Sequence, residues 1–131
     1  MTLSPISRIE TRICPILVHL HKEQDRMKFS QYHFVDEIKE NLDKMGFKRP
    51  TDIQYKCIPN ILRGEDLLAI AQTGTGKTAA FVIPVLHILQ SKVHSKRPDG
   101  IKCLVMVPTR ELAIQIHEVF SKIGQNTRVK S

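Results

Sequence analysis

Cysteine is scarce and poorly spaced for its structural uses. Cys14, Cys57 and Cys103 stand far apart, and no CxxC pair occurs. That excludes the paired spacing of a zinc ribbon and predicts reduced thiols in a cytoplasmic setting. His19 and His21 have no third ligand beside them, so they make no metal site. Long apolar runs are lacking too. None approaches the roughly 20 residues a bilayer span requires, which predicts a soluble chain with no membrane partner. Arg8 and Arg12 precede the apolar run Ile13–Leu20, yet Pro15 and His19 interrupt that run and no small-residue cleavage site follows. A secretory leader is therefore excluded. Acidic residues are outnumbered, 13 against 20 lysines and arginines, for a formal net charge of +7. A surplus of that sign suits a polyanion such as RNA or DNA.

What is present suffices for one modest domain or part of a larger one, with 41% hydrophobic residues in 131. Residues 1–26 show no sustained periodicity and are broken by Pro5 and Pro15. They read as a flexible arm, or as an extension upstream of a native start at Met27. From Phe34, the apolar residues Phe34, Ile38, Leu42 and Met45 recur at helical spacing and Gly46 stops them. Thr51 opens a second helix to about Arg63, with Pro59 expected to interrupt or kink it. Leu67–Ala71 is a continuous apolar run between turn signals, the pattern of a strand buried on both faces. A glycine-rich loop follows. A helix from about Lys77 to Gln90 is then apolar nearly all round, which marks it as buried, with Pro84 expected to bend it. Lys92 to Gly100 reads as a basic surface loop, Ile101–Val107 as a second buried strand, and Thr109 to Ile123 as an amphipathic helix. The βαβα order predicts an α/β fold with a parallel sheet and right-handed crossovers.

The loop Ala71-Gln72-Thr73-Gly74-Thr75-Gly76-Lys77-Thr78 has the Walker A pattern, with alanine where the usual form begins with glycine. A triphosphate is a dense anion that needs several donors in a small concave space. Gly74 and Gly76 let the main chain curl and turn its amides inward. The helix that follows aims its positive end at the phosphates. Lys77 brings a full charge to the β- and γ-phosphates, and the Thr78 hydroxyl suits a Mg²⁺ ion bridging them. ATP and Mg²⁺ are the expected cofactors.

Further motifs resemble one family. Gly46-Phe47-Lys48-Arg49-Pro50-Thr51-Asp52-Ile53-Gln54 is similar to the Q motif of DEAD-box RNA helicases, and Phe29 lies where that family keeps an isolated aromatic. Pro108-Thr109-Arg110-Glu111-Leu112-Ala113 matches its motif Ia, and the family also begins the phosphate loop with alanine. The resemblance runs from Phe29 to the C-terminus. It implies a RecA-like ATP-binding domain over residues 27–131. Gln54 would read the adenine edge through its amide, Phe29 would stack on the base, and Phe47, Lys48 and Thr51 would line the same end. Pro108, Thr109 and Arg110 would contact RNA backbone without reading sequence. Read locally, Thr51-x-x-Gln54 is also a capping box, and Thr109 an ordinary helix cap.

The family's Asp-Glu-Ala-Asp box and Ser-Ala-Thr motif do not occur in the chain. The sequence therefore reads as a truncated first domain, without the Walker B acids or the second RecA-like domain. Three functions follow: a piece of an ATP-dependent RNA helicase, inactive alone; a stand-alone nucleotide-binding remnant without catalysis; or another RecA-like ATPase acting on DNA.

Overall fold

A computed structural model of the chain describes residues 27–92 and 100–131. The stretch 1–26 and most of the loop expected over Lys92–Gly100 lie outside the described residues. A 3₁₀ turn over Phe29–Gln31 leads into four helices: α1 (Asp36–Lys44), α2 (Asp52–Leu62), α3 (Lys77–Ser91) and α4 (Arg110–Ile123).

Local sequence accounts for the helix ends. In α1, Asp36 and Glu37 occupy the first turn and Lys44 the last, as the helix dipole favours. The chain then leaves α1 by a Schellman turn. Gly46, at φ +76°, donates to the Asp43 carbonyl at 2.9 Å, and Phe47 to Leu42 at 2.9 Å. The end of α2 repeats the device. Gly64, at φ +75°, donates to Ile61 at 2.9 Å and Glu65 to Asn60 at 3.1 Å. Pro59 and Pro84 sit inside helices that continue through them.

The core gathers around α3, which packs against α1, α2 and α4. Val82, Ile83 and Leu86 of α3, Ile38 and Leu42 of α1, Ile58 of α2 and Ile123 of α4 are all fully buried. The near-continuous apolar surface of α3 is thus explained by neighbours on several sides. Burying each such side chain contributes about 1.5–3 kcal/mol. Asn41, also buried, donates from Nδ2 to the carbonyls of Ile123 at 3.0 Å and Gln125 at 2.6 Å, tying α1 to the end of α4. Gly124 lets the chain leave α4 close to its neighbours: a Cβ there would lie 2.7 Å from the Phe120 carbonyl oxygen.

The expected α/β, RecA-like parallel sheet is not found. The described residues contain helices, turns and extended segments but no β-strand. Residues 67–71 and 101–107, read as buried strands, run with much of their apolar surface in solvent: Ile70 is 87% exposed and Met106 85%. An apolar run favours burial, but a strand exists only when its N–H and C=O groups pair with a neighbour. The two runs form no ladder with each other here. The sequence pattern registered their hydrophobicity and could not register a partner. Met45 is a smaller miss, since it is exposed although it falls in the apolar repeat of α1.

Candidate functional site: the loop ahead of α3

The segment between residue 71 and α3 is curled. Gly74 and Gly76 both adopt positive φ, +79° and +86°, a region that costs a residue with a Cβ about 1–2 kcal/mol. Gly76 is also the N-cap of α3, so the free amides of a 15-residue helix open onto the loop. Lys77 folds across it, and its ammonium donates to the Ala71 carbonyl, joining foot to head. Within the loop the Thr75 hydroxyl donates to the Gln72 carbonyl at 2.8 Å. Gln72, Thr73 and Gly74 are exposed, whereas Ala71, Thr75, Gly76, Lys77 and Thr78 are half-buried. No Cβ at Gly74 would meet another atom within 4 Å, so the space beside it is open.

The start of α2 is fastened to this loop. Thr51 and Gln54 form a reciprocal capping box, in which the Thr51 N–H donates to Gln54 Oε1 at 3.0 Å. The same two side chains reach further. Gln54 Nε2 donates to the Gly76 carbonyl at 3.2 Å, and the Thr51 hydroxyl to the Thr75 carbonyl at 2.9 Å. Gln54 is 2% exposed, and a Cβ on Gly76 would come within 2.5 Å of its Nε2. Glycine is therefore required at 76 twice over, for its dihedral angle and for this approach. In the sequence, the cap and a ligand role for Gln54 stand as alternatives. In the structure one amide both caps α2 and holds the loop, a double use that local pattern does not signal.

Phe29 lies close to this end of the molecule, but in the core. Its N–H donates to the Lys48 carbonyl at 3.1 Å, and its ring meets Phe47 edge-on with centroids 5.9 Å apart. Only 2% of Phe29 is exposed, so it presents no open face for stacking. Phe47 is half-buried and Lys48 exposed. Pro108, Thr109 and Arg110 are exposed at the start of α4, where the Thr109 hydroxyl accepts from the Leu112 N–H at 3.2 Å. Among the described residues, no group of three or more His, Cys, Asp or Glu side chains forms a metal site. No helix there is long and apolar enough to cross a membrane.

A glycine loop curled at the foot of a central helix is a geometry that favours an anion. Comparison with known proteins gives the particular family. Residues 51–131 match the family model described as DEAD/DEAH box helicase, and the chain belongs to that family. It is 45% identical over 112 residues to an ATP-dependent rRNA helicase RRP3 of Meyerozyma guilliermondii, covering 86% of this chain and 22% of that protein. It is 50% identical over 91 residues to a probable ATP-dependent RNA helicase DDX49 of Homo sapiens, covering 70% and 18%. Its fold is similar to that of a DEAD box protein from Methanococcus jannaschii, with TM-score 0.70, 37% identity, and 79% of this chain and 27% of that one covered. The chain thus spans about a fifth of the length of these curated relatives. The expectation of a cytoplasmic protein is corrected by the same comparison. Several relatives are rRNA helicases by name, and likeness to them does not point to the cytoplasm.

Proposed function

We propose that the chain binds ATP with Mg²⁺ through residues 71–78 and contacts RNA backbone through Pro108, Thr109 and Arg110, as part of an ATP-dependent RNA helicase. The observation that carries this reading is the curled loop. Gly74 and Gly76 are in the left-handed region, the first turn of α3 opens onto them, and the Lys77 ammonium reaches back to the Ala71 carbonyl. A polyphosphate entering there takes the main-chain amides and draws Lys77 from its carbonyl partner. Mg²⁺, when bound, neutralises phosphate charge, and the Thr78 hydroxyl is the side chain we assign to it. Most of the ion's other ligands would be phosphate oxygens and water, so the absence of a carboxylate cluster among the described residues does not conflict with the loop's fit.

The adenine end is assigned to Gln54, with Phe29, Phe47, Lys48 and Thr51 around it. A primary amide has two donors and about two acceptor positions. Capping Thr51 and holding Gly76 uses one of each. One donor and one acceptor therefore remain, the pair that adenine N7 and N6 require. Both Gln54 and Phe29 are covered, so the base must displace what lies over them. At α4, the exposed cap supplies amides and Arg110 for a phosphate, a contact that carries no sequence information. Ribosomal RNA is the RNA class to which the relatives' names point. The 131 residues contain no Asp-Glu-Ala-Asp run, and we assign this chain nucleotide binding without turnover.

Calorimetric titration of the chain with Mg·ADP tests the reading. Binding is expected, with a loss of at least about tenfold in Lys77→Ala, whose charge-assisted contacts are worth about 1.5–3 kcal/mol. Equal affinity in a folded Lys77→Ala chain would refute the loop assignment.

A further inference from the structure

A row of rings continues from Phe29 and Phe47 through Tyr32 and Phe34, two residues that the roles above leave unused. His87 stands on α3, ten residues beyond Lys77 and so about 15 Å along the helix. Its Nδ1 accepts the N–H of Val35 at 3.3 Å. Val35 is the N-cap of α1 and has no side-chain oxygen with which to cap that helix. The imidazole meets Phe34 edge-on, with centroids 5.7 Å apart. Phe34 lies parallel to Tyr32 at 5.2 Å, Tyr32 is tilted against Phe29 at 5.9 Å, and Phe29 meets Phe47 at 5.9 Å. Phe29, Tyr32 and Phe34 are buried, so each ring is held by the next. The row begins on the helix that opens at the phosphate loop and ends at the stretch leading into Gln54.

We infer that His87 is a positioning residue for the base end of the nucleotide site, seating the Phe34–Tyr32–Phe29–Phe47 row by accepting the Val35 N–H. The inference rests on the adenine reading of Phe29 and Phe47 given above. Only the neutral ring, with its proton on Nε2, can accept at Nδ1. A second proton would set one N–H against another. The hollow beside His87 is bounded by Tyr32 and His33 from the turn, Pro59 and Leu62 from α2, and Lys92 beyond α3. Its titratable or charged members are thus Tyr32, His33 and Lys92. No carboxylate is among them to balance an imidazolium, and burial lowers the His87 pKa. Protonation would therefore loosen the row from the α3 end.

The test is Mg·ADP affinity of the chain from about pH 8 to about pH 5.5, with helix content followed by circular dichroism. His87→Leu is expected to weaken binding about fivefold at the upper pH, the worth of one hydrogen bond. His87→Asn keeps an acceptor near Nδ1 but cannot titrate. It is expected to restore most of that loss and to resist acid, where the wild type weakens by a similar factor. The nucleotide's own titration is common to both chains. In a Phe29→Ala background, His87→Leu should add nothing. If it weakens binding equally in both backgrounds, or if His87→Asn follows the wild type down the pH range, the positioning role is wrong and the base reading stands. If Phe29→Ala itself leaves ADP affinity intact, the base reading has failed first. Should His87→Leu not fold, the comparison of wild type with His87→Asn decides the matter.

Discussion

Gly76 concentrates more constraints than any other position near the loop. Its φ of +86° disfavours a side chain, and Gln54 Nε2 occupies the space a Cβ would need. Gly76→Ala is expected to destabilise the chain by about 1–3 kcal/mol, from dihedral strain and displacement of a buried amide. It should also weaken Mg·ADP binding, because the amides of the loop no longer converge. Urea melts and ADP titration would show both effects; an unchanged melt would mean the Gln54–Gly76 approach is not tight. The curl at Gly74 and Gly76 was legible in the sequence because closely spaced glycines permit left-handed backbone. The buried state of Phe29 and the double use of Gln54 were not. Both depend on contacts across 20 or so residues of intervening chain, which local pattern does not encode.

At the scale of elements, helices were legible and strands were not. Helix α1 is set by Ile38 and Leu42 four residues apart, its charges and Gly46, all of them local signals. Helix α3 was recognisable as buried because its apolar surface goes nearly all round. Residues 67–71 and 101–107 carry hydrophobicity of similar density, yet strand formation depends on a ladder partner outside the segment. Two predictions belong here. Asn41→Ala removes both donors that hold the end of α4, leaving the Ile123 and Gln125 carbonyls short of partners. A loss of about 1–3 kcal/mol in thermal or urea unfolding is expected; a change within experimental scatter would show that α1 and α4 are held by apolar packing alone. The second concerns acid. Burial lowers the His87 pKa below the ordinary histidine value of 6.5. Above 6.5 the folded and unfolded chains both carry neutral His87. As pH falls below it, the unfolded chain takes up the proton first, so stability declines until the folded pKa is passed. Unfolding free energy should therefore fall more steeply on acidification in the wild type than in His87→Asn; parallel curves would contradict this.

For the molecule as a whole, the helices make a core around α3 while Leu68, Ile70, Ile101, Leu104 and Met106 stay in solvent. That much exposed apolar surface favours self-association. Sedimentation at rising concentration should show it, and a sample that stays monomeric throughout would argue that those segments fold back in solution. The chain belongs to the DEAD/DEAH box family, and residues 71–78 are curled ahead of α3; the function proposed above has them enclose a nucleotide's phosphates. An amide chemical-shift titration of the folded chain with Mg·ADP shows where the phosphates sit. The largest shifts are expected at the main-chain amides of Gly74, Thr75, Gly76, Lys77 and Thr78, with a midpoint at least about tenfold higher in Lys77→Ala. Shifts centred elsewhere, or none at saturating nucleotide, would contradict the proposed function.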